Sequence, residues 1–426
     1  MEILQLINDT NIDVIETLNN TNAQAKEEFL SDPSLVKPNN IYGNLNSGQV
    51  EQNIFDITNA LDHMREDAHQ TVEQSIAEMM LRDNLKKNRF VFSNYEYNHA
   101  QQKKEEMALQ QRRDNIALYG EPEEDVFWSI LYGKLRQIEE QNLSLQQRKE
   151  YAKLQELIGD VVPQHREVFC PSQEVITRFG EIMNCFMDYI FRHIPGNKST
   201  YTPNDACAIA NIVLREELSE IAGDWRAFVD PNASYASVIP SSHKIIFPGK
   251  RNKRNYSLSE LKAILAHELG VHAFRGMMYS ECRWKSLSIG MPGYEAFEEG
   301  VAKACEQAVI NDYEPSGYMH YISIGLGTFL KKSFRETFEI QMRLESLTNG
   351  AMAGRCFDSV QRAFRGTGEL TNNKDLVYYN GSLMVWQYIE KHIDDPELVD
   401  TLFLCGKTNI LDVVHRRIIY SIRMGE

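Results

Sequence analysis

Six consecutive residues carry the clearest chemistry in the chain: His267-Glu268-Leu269-Gly270-Val271-His272. Two imidazoles flanking a carboxylate are the ligands and base of a zinc peptidase, where the histidines hold the metal and the glutamate activates a water. The familiar spacing is H-E-x-x-H, and here one residue is added. On an ideal helix an i+4 partner is displaced by about 40°, an i+5 partner by about 140°, so the two rings would diverge. The longer motif can serve one metal only on a locally widened helix, and a π-bulge absorbs one such residue. Gly270 lies inside the insertion and is expected to ease its backbone.

Two elements must position these groups. Ser257-Leu258-Ser259-Glu260 reads as a capping box that opens the motif helix, and Leu261, Ile264 and Leu265 give that helix its apolar face. Downstream, Tyr294-Glu295-Ala296-Phe297-Glu298-Glu299-Gly300-Val301-Ala302 begins another helix. A carboxylate from Glu298 or Glu299 would complete a His-His-Glu site and leave the fourth zinc position for water. Acidic residues near a helix start ordinarily serve the dipole, so the pair gains weight only beside the first helix.

The rest of the composition bounds the function. The chain has 426 residues with 42% hydrophobic and 25% charged, as in soluble globular proteins of two or three domains. A net charge of −15 argues against broad binding to nucleic acid or anionic lipid. No apolar run approaches the ~18 residues of a membrane span. The seven cysteines are scattered without a C-x-x-C pair, so no disulfide framework or cysteine zinc site is expected. With no signal peptide in the opening residues, the expected address is cytoplasmic. The alternative is an effector exported without a cleaved signal.

Patterning predicts a mainly α protein with a small antiparallel β-sheet. Residues 1–85 are polar and Asn-rich and read as a helical and loop extension; residues 86–426 read as the catalytic domain. Within it, 86–222 is a helical lead-in, with an apolar stripe of Phe127, Ile130, Leu131, Leu135 and Ile138. Short β-branched or aromatic runs at 225–230, 234–238 and 244–247 predict three strands within 223–248. From 257 to 426 the pattern is helical, with the metal-binding helices first. Trp225, Trp284 and Trp386 read as core.

At this point the residues resemble a known family. His267-Glu268-Leu269-Gly270-Val271-His272-Ala273-Phe274-Arg275-Gly276, followed by Glu298-Glu299-Gly300-Val301-Ala302, is similar to the signature of the microtubule-associated tyrosine carboxypeptidases and their bacterial relatives with a Q/E-E-G-L-A motif. Arg362-Ala363-Phe364-Arg365-Gly366-Thr367 and Lys374-Asp375-Leu376-Val377-Tyr378-Tyr379-Asn380-Gly381 look like later segments of that family. The resemblance implies a zincin-like metallopeptidase with one Zn2+ per chain, and it favours Glu299 over Glu298 as third ligand. It also implies removal of a residue from a protein or peptide C-terminus. Members acting on microtubules trim the terminal tyrosine of α-tubulin. Tubulin becomes a partner for so acidic a chain only if a basic face offsets the repulsion, for which Lys250-Arg251-Asn252-Lys253-Arg254 is the candidate.

The expected roles follow. His267, His272 and Glu299 hold the metal, and Glu268 moves the proton. Tyr378 is the first candidate for an oxyanion donor, against a core tyrosine. Arg365, with Arg362 behind it, is the candidate for the terminal carboxylate. Arg275 could brace the ligands, the strand around 234–238 could pair with substrate, and His320 reads as structural. Two other readings stay open: an H-E-x-x-x-H peptidase acting at N-termini or within chains, and a non-catalytic binding protein with a degenerate site.

Overall fold

The computed structural model describes residues 3–18, 23–39, 45–64, 71–159, 169–233, 235–249, 255–280, 286–350 and 353–424. The expected basic segment Lys250–Arg254, together with Ser234, Cys282 and Trp284, lies outside them. The chain divides into two compact units, each discontinuous: Met1–Val168 with Gly317–Leu376, and Phe169–Ser316 with Val377–Glu426.

The first unit is helical among its described residues. Thr71 and Gln74 form a reciprocal cap that starts the long helix Val72–His99. Leu81 of this helix packs with Leu6, Ile7, Ile57 and Leu61 in one buried cluster. Buried Asn84 and Asn88 donate to the carbonyls of Ile7 and Thr10, both at 2.8 Å, and so satisfy the end of the first helix from the side. Phe29 is fully buried against Phe334, Phe338 and Phe357, with the Arg335 guanidinium 3.6 Å above its ring. Phe29, in a polar stretch of the sequence, thus shares a core with residues 334–357.

The second unit holds the sheet. Its strands are β1 (Arg226–Asp230), β2 (Ser237–Ile239) and β3 (Lys244–Pro248), in the order β1-β3-β2. β2 and β3 are antiparallel, joined through His243 at φ 53°, but β1 and β3 are parallel. The sheet is therefore mixed rather than antiparallel. Strand patterning marks each strand but not its neighbour, and β3 has come between the two that precede it. Ile245 and Phe247 face inward and are fully buried.

The outer edge of β1 is closed by a side chain. Arg226 N–H turns inward to His243 O, so the groups of Ala227 turn outward, where Asn211 takes both: Ala227 N–H donates to Oδ1 at 3.1 Å and Nδ2 donates to Ala227 O at 3.0 Å. β2 forms the other edge.

Three helices frame the motif. The helix Leu258–Leu265 opens with the expected box: Glu260 N–H reaches Ser257 Oγ at 3.2 Å and Ser257 N–H reaches Glu260 Oε2 at 2.8 Å. It runs into a π-helix, Ala266–Ala273, and then into Phe274–Met277. The second helix is Glu295–Ile310, and the third, Leu376–His392, crosses it at two glycines. A Cβ on Gly300 would stand 2.2 Å from Gly381 O, and one on Gly381 would stand 1.9 Å from Ala296 O. Backbone meets backbone there, so neither position has room for a side chain. Among the described residues no helix is long and apolar enough to cross a membrane.

Candidate metal centre

The widened helix does what the motif spacing demands. Over eight residues, Ala266–Ala273, its hydrogen bonds have π character, and His267 and His272 come onto one side with ring centroids 4.8 Å apart. Gly270 has a different role from the one expected. It is not among the positive-φ glycines, and a Cβ there would meet the Met187 side chain at 2.9 Å. Its smallness serves close packing rather than unusual dihedrals.

The two Nε2 atoms stand 3.2 Å apart. Glu299 Oε2 lies 4.0 Å from His267 Nε2 and 3.9 Å from His272 Nε2, and one ligand atom from each of the three residues falls within 4.8 Å of the others. Each Nδ1 is already engaged. His267 Nδ1 donates to Glu306 Oε2 at 3.0 Å and His272 Nδ1 to Glu298 Oε1 at 3.1 Å. A ring that donates from Nδ1 presents a lone pair at Nε2. Two lone pairs and a carboxylate oxygen thus converge, an arrangement able to hold a cation between them. Tetrahedral zinc with bonds of about 2.0–2.1 Å separates its ligands by about 3.3–3.4 Å. The imidazole pair fits that figure, and the carboxylate stands slightly wide.

Glu298 and Glu299 divide the work between them. Glu299 keeps 24% of its side chain exposed and faces the Nε2 pair, whereas Glu298 keeps 3% and faces the back of His272. Burial works against the Glu298 charge, but Lys407 Nζ at 2.5 Å, Arg275 Nε at 2.7 Å and His272 hold its carboxyl well below the usual range. Arg275 is fully buried and also donates to the carbonyls of Leu402, Gly406 (2.6 Å) and Thr408 (3.0 Å), which makes it the brace the sequence suggested. Glu306 is similar: burial opposes its charge, yet His267 and Lys303 bring its carboxyl down to about 2. Sequence reasoning missed Glu306, Lys303 and Lys407. Glu306 follows Glu299 by two helical turns, a readable signal, whereas nothing local points to Lys407.

Glu268 is buried and its Oε2 has no hydrogen-bond partner; burial pushes its carboxyl up despite the two nearby imidazoles. Half-buried Tyr378 belongs to the crossing helix, one turn before Gly381. Arg362, Arg365 and His320 belong to the first unit. There Arg362 donates twice to Asp375, at 2.9 and 2.5 Å, and Arg365 Nη2 stands 3.8 Å from the same carboxylate. Arg365 Nη1 is buried without a hydrogen-bond partner. His320 Nδ1 meets Ser359 Oγ at 3.1 Å. Trp225 and Trp386 are core, the latter donating to Gln307 Oε1 at 2.7 Å.

Comparison with known proteins adds one strong finding. The family model described as microtubule-associated tyrosine carboxypeptidase matches residues 202–420, just over half the chain, a span that includes His267, His272 and Glu299. No curated protein matches. Among solved structures, a lipoprotein from Colwellia psychrerythraea aligns over 89% of this chain and 71% of its own, at 10% identity and a TM-score of 0.34. That likeness is too distant to bear on fold or chemistry.

Proposed function

The chain belongs to the microtubule-associated tyrosine carboxypeptidase family, and from that premise we propose that it is a zinc-dependent carboxypeptidase acting on a protein or peptide C-terminus. His267, His272 and Glu299 are the metal ligands. The observation that carries this reading is the convergence of two imidazole lone pairs, 3.2 Å apart, each backed by a carboxylate on its other nitrogen. Zinc in such a site supplies Lewis acidity, which acidifies a water and polarises the scissile carbonyl.

The chain's own groups do the rest. Glu268 takes a proton from the attacking water and delivers it to the leaving amine. Tyr378 donates to the developing oxyanion. The substrate backbone pairs with β2, because Asn211 has closed the edge at β1. A C-terminal tyrosine, tubulin's included, is the residue the family name suggests.

Mass spectrometry of a diverse peptide pool tests the proposal. Wild type, but not Glu268→Gln, should remove single C-terminal residues, and chelation should stop it. Trimming from N-termini would sink the carboxypeptidase reading. Protein that purifies and remains free of zinc under saturating metal would sink the ligand set.

A further inference from the structure

Behind the two histidines lies a repeated arrangement. Glu306 Oε2 accepts from His267 Nδ1 at 3.0 Å and from Lys303 Nζ at 2.7 Å. Glu298 Oε1 accepts from His272 Nδ1 at 3.1 Å and from Lys407 Nζ at 2.5 Å. In each case one carboxylate oxygen is shared between an imidazole and a lysine. The first lysine is local, three residues from its glutamate on the same helix. The second arrives from a segment 109 residues away, where its side chain is 3% exposed.

That segment is anchored independently of the ammonium group. Lys407 N–H donates to Leu287 O at 2.7 Å and its carbonyl accepts from Met291 N–H at 3.0 Å. The Arg275 guanidinium holds the carbonyls of Leu402, Gly406 and Thr408. The Lys407 side chain is therefore delivered to Glu298 by a fixed backbone. An oxygen bonded on both sides cannot swing, so the ring whose N–H it accepts is fixed as well.

We propose that Lys407 is a positioning residue for metal binding: through Glu298 it fixes the tautomer and ring plane of His272, so the readiness of the site for zinc depends on the docked 402–408 segment. This rests on the reading of His267, His272 and Glu299 as ligands. Removing the ammonium leaves Glu298 held at Oε2 by Arg275 alone, so Oε1 loses the partner that aims it at His272, and the ring is able to turn or to change tautomer.

The test compares full-length wild type, Lys407→Met and Lys407→Arg by zinc affinity, from chelator competition, and by the rise in Tm that saturating zinc produces over the apo protein. Lys407→Met should bind zinc about 10–100-fold more weakly and show a smaller zinc-induced rise in Tm, and Lys407→Arg should recover most of both. A merely structural lysine would lower the Tm of apo and zinc-loaded protein equally and leave the affinity unchanged, and that result overturns the proposal. Should Lys407→Met not fold, Lys407→Gln, which keeps a donor without the charge, is measured against the same expectations. Wild type that binds no zinc would instead refute the ligand set itself, so the two failures are told apart.

Discussion

Two buried carboxylates, one in each unit, are built from the same parts and come to different ends. Glu298 in the second unit and Asp375 in the first are 2% and 1% exposed, and each faces two cations. Around Asp375 the charges close on one another: Arg362 gives two hydrogen bonds, Arg365 stands behind, and His320 turns to the Ser359 hydroxyl. Around Glu298, Arg275 and Lys407 hold the carboxylate in place, but its imidazole points its other nitrogen at a second imidazole and at Glu299. What separates the two clusters is the remainder left after pairing. The first cluster leaves one arginine N–H, and the second leaves three converging electron pairs and the unpartnered oxygen of Glu268.

That contrast can be broken most severely at Glu268. Glu268→Gln should lower peptide cleavage by about 10^2–10^4-fold while zinc content, measured by elemental analysis, stays at the wild-type level. Equal loss of metal and activity would make Glu268 a structural partner like Asp375. Next comes Asp375→Asn, which removes the buried charge that Arg362 and Arg365 face and should cost about 3–5 kcal/mol in urea unfolding. The folded fraction should keep its zinc affinity, and an altered affinity would erase the distinction between the two clusters.

Gly381→Ala should cost about 1–3 kcal/mol, because its Cβ meets the backbone oxygen of Ala296 rather than a movable side chain. It should also weaken zinc binding, since the neighbouring turn carries Glu299, and a substitution that leaves both untouched would show that the crossing is loose. The smallest effect is acid sensitivity of the first unit. Burial pushes the His320 imidazole down to about 4, so below about 6.5 the unfolded chain binds a proton that the folded chain refuses. Stability is full above that pH and declines as pH falls toward 4. Urea midpoints at pH 7, 5.5 and 4.5 should show the decline in wild type and a flatter profile in His320→Gln.

Much of the candidate metal centre is legible because its chemistry is local. One surplus residue in H-E-x-x-x-H required a wide helix, the capping box marked its start, and the second helix offered two carboxylates for one vacancy. Geometry then separated Glu299, facing the imidazoles, from Glu298 behind one of them. Long-range pairings left no trace in the pattern. Lys407 reads as an ordinary lysine, and the parallel partner of β1 is the third strand rather than the second. Phe29 sits in a polar, Asn-rich stretch but packs among Phe334, Phe338 and Phe357. Arg362 is paired with Asp375, thirteen residues on, and nothing in the spacing of the two marks that pairing.

The π-helix also sets a limit on editing the gene. Deleting one codon between Leu269 and Val271 would restore the ordinary H-E-x-x-H spacing and an ordinary helix. Every later residue of that helix would then turn by about 100°. Arg275 would leave the carbonyls of Leu402, Gly406 and Thr408, and the Glu298 carboxylate with them. The extra residue and the anchor behind it form one unit of inheritance, and neither can be trimmed to the common pattern without discarding the other.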